Sequence, residues 1–128
     1  NDIVCQSLFM EILRRPEGVY HELRLMNTYG VLAAYLPIFE QVVGLMQFDL
    51  FHIYTVDEHI LMVLRNVRRM GIPKYAQEIP KCSALFPDLR KPELIYLAAL
   101  FHDIGKGRKG DHADTGAIDA REFCLRHS

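Results

Sequence analysis

Apolar residues along this 128-residue chain recur mostly at the three- and four-residue spacing of helices. No stretch shows the sustained alternation of apolar and polar residues, rich in β-branched and aromatic side chains, that is typical of a strand. The pattern therefore predicts an all-α fold. With the Gly and Pro residues that interrupt it, it predicts seven helical segments: Ile3 to Arg14, Glu17 to Tyr29, Val31 to Tyr35, Pro37 to Met46, Thr55 to Met70, Pro92 to Phe101, and one from about His112 onward.

Some segments have further local signals. Gly30 is expected to end the second helix as a C′ residue, and Thr55 is expected to form a capping box with Glu58. The stretch from Gln47 to Tyr54 is apolar but short, and we interpret it as a buried connection. The expected buried faces are Val4, Leu8, Ile12 and Leu13 in the first helix, and Ile60, Val63, Leu64 and Val67 in the helix opened by Thr55.

Composition narrows the class of protein. The chain has 15 Lys and Arg against 16 Asp and Glu, a formal net charge of -1, and 50% hydrophobic residues. These values predict one globular domain over residues 1–128. Within it, we expect residues 1–46 to form N-terminal helices and residues 47–128 to form the core of the functional site. The balanced charge argues against nucleic-acid binding, and no apolar run is long enough to span a membrane.

The cysteines and the chain ends add two expectations. Cys5, Cys82 and Cys124 are odd in number and far apart, which predicts neither a disulfide framework nor a cysteine zinc site. A reducing, cytoplasmic location fits this usage. Because Asn1 is not Met and the chain stops at His127-Ser128 within a predicted helix, we expect it to be a piece of a longer protein.

The strongest candidate for chemistry lies where the Pro92 helix ends. The apolar run from Leu94 to Phe101 leads directly to His102 and Asp103. A buried carboxylate must be paired or bound to a metal, and imidazole and carboxylate together suit Mn, Fe, Zn or similar ions. The alternative is that Asp103 caps a loop and His102 is a core histidine without a metal.

Two further histidines are candidate ligands. His59 lies in the first turn of the Thr55 helix, on its expected inward side, and His112 opens the last helix. Each has a structural alternative, as a core histidine or as a solvated or capping residue. The other histidines, His21, His52 and His127, have no evident partner in the sequence.

A basic loop follows the His-Asp pair, from Gly105 to Gly110, and includes Lys106. Its glycines would let backbone approach an anion that its cations neutralise, although such a run is also common in solvated turns. The pattern is not that of a Walker loop. If a metal lies at Asp103, a phosphate could bridge that metal and Lys106.

His59 together with Phe101-His-Asp-Ile-Gly-Lys106 resembles the HD-domain superfamily of metal-dependent phosphohydrolases, which is named for its His-Asp pair. The resemblance is greatest to the HD domains of the bacterial uridylyltransferase/uridylyl-removing enzymes and extends from about Met26 to Cys124. The segments with this resemblance are Asp49 to His59, Leu61 to Asn66, Pro92 to Asp103, and Gly110 to Ala113.

The resemblance implies an α-helical HD bundle with His59, His102 and Asp103 as metal ligands and His112 as a further ligand where two ions are bound. It implies a divalent metal, Mn or Mg, with Fe or Zn as alternatives. Asp103 and Lys106 would be the catalytic residues. The superfamily also uses a later Asp, which no residue after Asp119 supplies, so we expect a bundle truncated at its C-terminus with an incomplete ligand set.

The implied activity is hydrolysis of the phosphodiester that joins UMP to a tyrosine of the uridylylated PII signalling protein, within a bifunctional nitrogen-sensing enzyme. Metal ions would lower the pKa of a water molecule that attacks phosphorus. Two alternatives stay open. The same ligands could serve hydrolysis of a free nucleotide such as guanosine tetraphosphate, or the domain could be a non-catalytic helical regulatory module.

Overall fold

The computed structural model describes residues 2–46, 54–107 and 112–127. In these ranges the chain forms helices and no strand, which confirms the all-α prediction. The α-helices in the described ranges are α1 (Ile3–Arg14), α2 (Val19–Thr28), α3 (Val31–Tyr35), α4 (Val56–Met70), α5 (Pro80–Leu85), α6 (Pro92–Phe101) and α7 (His112–Arg126). The 3₁₀ segments are Pro37–Val42, Pro73–Tyr75, Phe86–Asp88 and Ile104–Gly107.

Helix α6 lies at the centre of the packing, as its apolar sequence predicts. It packs against α4, α1 and α7, and α2 packs against α4 on another side. Its buried residues include Tyr96, Leu97, Leu100 and Phe101, although Leu94 is exposed. One connected core joins both halves of the chain; its fully buried side chains include Leu13, Val19, Leu23, Leu32, Phe39, Val42, Val56, Ile60, Leu64, Leu100, Ile104 and Phe123.

The buried face of α1 differs from the prediction. Val4 and Leu8 are exposed, whereas Phe9, Met10 and Leu13 are buried. Helix α1 has apolar residues on more than one side, so spacing alone does not select the inward face. The contacts of Phe9 determine the inward face. Its ring stacks on Tyr35 at a centroid distance of 4.8 Å and packs edge-on against Phe123.

Several boundaries also differ. Helix α2 is shorter than predicted because Gly18 and Gly30, which flank it, have positive φ angles of 85° and 75°; the expected role of Gly30 as a C′ residue is confirmed. The segment from Pro37 is a 3₁₀ turn that ends at Val42, so the helix predicted to Met46 is wrong. The predicted buried connection at 47–53 lies outside the described residues, and Tyr54 is exposed.

The start of α4 corrects another prediction. Thr55 is the N-cap residue, but its side chain does not cap the helix, so the capping box with Glu58 does not form. The Thr55 hydroxyl instead donates to the carboxylate of Asp57. The predicted buried face of α4 is confirmed at Ile60 and Leu64, and Val63 and Val67 pack partly buried against the core.

Helix α7 lies very close to the end of α6. A Cβ atom at Gly116 would come 2.8 Å from the carbonyl oxygen of Phe101, so only glycine permits this approach. Phe101 directly precedes His102, so α7 packs against the backbone next to the His-Asp pair. None of the helices in the described part of the chain combines the length and apolar character needed to cross a lipid bilayer.

Candidate metal centre

Three of the predicted ligands lie together at the contact between α4 and α6. His59 comes from the first turn of α4, and His102 and Asp103 follow the last residue of α6. Their potential ligand atoms all lie within 4.8 Å of one another. Residues separated by 43 positions are therefore brought to one site by the packing of two helices.

One oxygen atom is the centre of this cluster. The Oδ2 atom of Asp103 lies 3.3 Å from His59 Nε2, 3.1 Å from His102 Nε2 and 3.4 Å from Lys106 Nζ. Asp103 is only 7% exposed, whereas the two imidazoles are about one-third exposed. The carboxylate is thus buried below the more exposed imidazoles of His59 and His102.

The donor set fits a divalent ion. Nitrogen and oxygen ligands about 2.1 Å from one ion are about 3.0 to 3.4 Å apart in octahedral or tetrahedral geometry. The two N to O distances, 3.1 and 3.3 Å, fall in this range. Two imidazoles and one carboxylate suit Mn, Fe or Zn, and leave positions for solvent or substrate.

The orientation of His102 supports the same assignment. Its Nδ1 atom lies against the carbonyl oxygen of Ala99, one turn earlier in α6, and a carbonyl can only accept, so Nδ1 is the protonated nitrogen. In the neutral ring Nε2 then has a lone pair that points at the Asp103 carboxylate. Two acceptors this close need a proton or a cation between them, and a metal ion would satisfy both.

Asp57 fixes the start of the helix that supplies His59. It is 5% exposed, and its carboxylate accepts hydrogen bonds from Asn27 Nδ2 at 2.9 Å, from Gly44 N at 3.0 Å and from the Thr55 hydroxyl. Burial alone would raise the pKa of Asp57, but these donors and the backbone N–H of Glu58 outweigh it and lower the pKa. The carboxylate therefore stays ionised and joins α2, the turn after Val42 and α4.

Sequence reasoning missed most of this network. The sequence marks Asp57 only as an acidic residue in the first turn of a helix, where it interacts favourably with the helix dipole. Its partners Asn27 and Gly44 lie 30 and 13 residues away, and no local pattern marks them. Sequence reasoning also found no partner for His127, whose ring stacks on Phe123 at a centroid distance of 3.6 Å and whose Nε2 contacts the Tyr35 hydroxyl.

Other predicted residues do not enter the described site. The side chain of His112 lies outside the described residues, as do His52 and the loop residues Arg108 and Lys109. His21 is exposed and lines a cavity to which none of His59, His102 and Asp103 contributes. The role of His112 as a ligand stays a prediction.

Comparisons with known proteins agree with the geometry. Residues 56–128, which include all of α4, α6 and α7, match the family model of the HD domain. Residues 1–35 match the model described as the Uridylyltransferase GlnD third domain. No solved structure matches the chain.

Curated relatives are similar over nearly the whole chain. The proteins of Nitrosococcus oceani and Methylococcus capsulatus are each 60% identical, over 98% and 99% of the chain, and that of Nitrosospira multiformis is 60% identical over 94%. Each is named a bifunctional uridylyltransferase/uridylyl-removing enzyme, and the chain spans about 14% of the length of each. The match over more than half of its residues shows that this chain belongs to the HD-domain family.

Proposed function

We propose that the chain is the hydrolytic part of a bifunctional enzyme and removes UMP from a uridylylated tyrosine of the PII signalling protein. The observation that supports this most is the convergence of His59, His102 and Lys106 on one oxygen of Asp103. The printed names of the relatives supply the reaction, uridylyl removal. PII as the partner, with its uridylylated tyrosine as the substrate, comes from the family resemblance.

His59, His102 and Asp103 would hold a divalent ion, Mn or Mg, with Fe or Zn as alternatives. When bound, such an ion lowers the pKa of water and polarises a phosphoryl oxygen. The hydrogen bond from His102 Nδ1 to Ala99 fixes the ring so that Nε2 points into the site. Asp57 keeps the first turn of α4 in place, so that His59 needs no rearrangement.

Lys106 supplies a positive charge beside this set. Its ammonium lies 3.4 Å from Asp103 Oδ2, and its side chain is mostly buried. A phosphoryl group bound at the centre would lie within reach of this ammonium, which would neutralise charge on its non-bridging oxygens. The oxygen of water forms a new bond to phosphorus, and the bond from phosphorus to the tyrosine oxygen breaks.

The leaving group in this reaction is a phenolate. Its conjugate acid has a pKa near 10, so it departs more readily than an alkoxide and takes its proton from solvent. The proposed reaction therefore needs no strong general acid beside the leaving oxygen.

The three cysteines are free and exposed, which supports the cytoplasm as the place of action.

The test uses the complete enzyme that contains this chain. We expect Asp103→Asn to abolish release of UMP from uridylylated PII and to leave transfer of UMP to PII largely intact, since the transfer chemistry would belong to another domain. Asp88→Asn, at an exposed position, is the matched control. Loss of both activities in a folded Asp103→Asn protein would contradict the proposal. Hydrolysis of guanosine tetraphosphate, but not of uridylylated PII, by the unmodified enzyme would overturn the assigned substrate.

A further inference from the structure

A second polar cavity lies on another side of α4, between that helix and α2. It has a volume of about 530 Å³ and is lined by residues of α2 and α4 together with Tyr54. Arg65 lines this cavity, whereas His59 does not. Six residues separate the two, which places them about 120° apart around the helix axis. The cavity is therefore distinct from the metal centre.

Two arginines in this cavity have unused hydrogen-bonding capacity. The guanidinium groups of Arg24 and Arg65 form no ion pair or hydrogen bond with any residue in the described ranges, and the Nε atom of Arg65 is buried without a partner. The neighbouring arginines of α4 differ. Arg69 stacks on Tyr75 and pairs with Glu78. Arg68 interacts with the Tyr96 hydroxyl, although its Nε atom, like that of Arg65, is buried without a partner.

Acceptors line the same cavity. The Oδ1 atom of Asn27 is buried without a partner, because its Nδ2 atom is held by Asp57 and sets the orientation of the amide. The exposed carboxylate of Glu58 is a second acceptor. Asp57 also lines the cavity, but its oxygens are already hydrogen-bonded to groups of the chain itself. Polar groups that lack partners favour an occupant that supplies hydrogen-bonding atoms of its own.

The occupant must satisfy donors and acceptors together. Unpaired guanidinium groups match phosphate oxygens, which accept two parallel N–H bonds. A carboxylate and an amide oxygen match hydroxyl or N–H donors, such as those of a ribose or a base. Tyr20 and Tyr54 add two aromatic rings on which a base can stack. A purely acidic peptide would meet the negative charge of Glu58 and offer fewer such donors.

We propose that the cavity between α2 and α4 binds a nucleoside phosphate at a site separate from the metal centre. Arg24 and Arg65 hold the phosphate, and Asn27 Oδ1 and Glu58 accept from the nucleoside. The site requires no metal, so its occupancy is independent of the proposed hydrolysis. It does not distinguish between bases, because the residues that line it present no full set of base-edge contacts.

The experiment is calorimetric titration of the chain in EDTA with UMP, AMP, uridine and inorganic phosphate. We expect saturable binding of UMP and AMP, with uridine and phosphate each at least about 10-fold weaker, since each lacks one half of the contacts. Arg65→Gln and Arg24→Gln should each weaken binding of UMP about 10-fold or more. Arg121→Gln, at an exposed position on α7, and His102→Ala, in the metal centre, should leave it unchanged.

Each other result overturns the proposal. Absence of saturable binding of UMP or AMP at millimolar concentration excludes the site. Equal affinity in Arg65→Gln, Arg24→Gln and the unmodified chain places the nucleotide elsewhere. Phosphate that binds as tightly as UMP excludes the nucleoside part. If Arg65→Gln does not fold by circular dichroism, Arg24→Gln decides, since Arg24 is exposed. Loss in His102→Ala would mean that the nucleotide lies at the metal centre.

Discussion

The start of α4 and the end of α6 each bury one aspartate, to 5% and 7% exposure, yet the two carboxylates have different partners. Asp57 is surrounded by an amide, a hydroxyl and backbone N–H groups, none of which can lose or gain a charge near neutral pH. Asp103 is surrounded by two imidazoles and an ammonium. Neutral donors hold a carboxylate in one arrangement, whereas imidazoles can bind a metal ion together with the carboxylate.

The largest expected effect tests whether Asp103 binds a metal. We expect Mn at 100 times its Kd to raise the Tm of the chain by roughly 10 °C, and we expect Asp103→Asn to abolish that shift because the central ligand oxygen loses its charge. Thermal melts with and without Mn measure this. Asp88→Asn should retain the full shift. A full shift in Asp103→Asn would mean that the ion binds elsewhere.

The next effect tests how much the hydrogen bonds of Asp57 contribute to stability. Asp57→Asn places an NH₂ group against donors and should lower the free energy of unfolding by about 2 to 3 kcal/mol, even without metal. Urea titration measures the change. Its exposed neighbour provides the control, since Glu58→Gln should cost less than about 0.5 kcal/mol. Equal losses from the two substitutions would show that the network around Asp57 contributes little.

A smaller effect sharpens the description of Asp103. Lys106→Gln removes a cation that competes with a metal for Oδ2, so it should raise the affinity for Mn about fivefold, which corresponds to a repulsion of about 1 kcal/mol. In the complete enzyme the same variant should slow removal of UMP, because the charge beside the phosphoryl group is lost. Lys81→Gln should change neither quantity. Weaker binding of Mn in Lys106→Gln would identify Lys106 as a support for the ligand set.

The smallest expected effect is on the stability of the folded chain at acidic pH. The pKa of Asp57 is lower in the folded chain than its unfolded value near 4. Its contribution to stability is therefore complete above pH 4 and is lost as the pH falls through the folded pKa. Urea titrations between pH 5 and 2 should show a shallower loss of stability for Asp57→Asn than for the unmodified chain. Parallel curves would contradict the ionised state of Asp57.

The two aspartates also show what a sequence can reveal. His102 and Asp103 are adjacent, follow an apolar helix and belong to a motif, so local reading and resemblance both found them, and His59 with them. The network of Asp57 needs Asn27 and Gly44, and only the packing of α2 and the 3₁₀ segment against α4 brings these together. Most helices were predictable because periodicity is a local property of the sequence. The inward face of α1 was not predictable, because the choice among apolar faces depends on distant partners such as Tyr35.

Because Gly116 has no side chain, α7 can approach the backbone directly before the His-Asp pair. Backbone bears directly on backbone at the carbonyl of Phe101, without a layer of flexible side chains that could absorb a displacement. Any side chain at position 116 would therefore push α7 away from the residue directly before His102, so we expect the position of the His-Asp pair to depend on this contact.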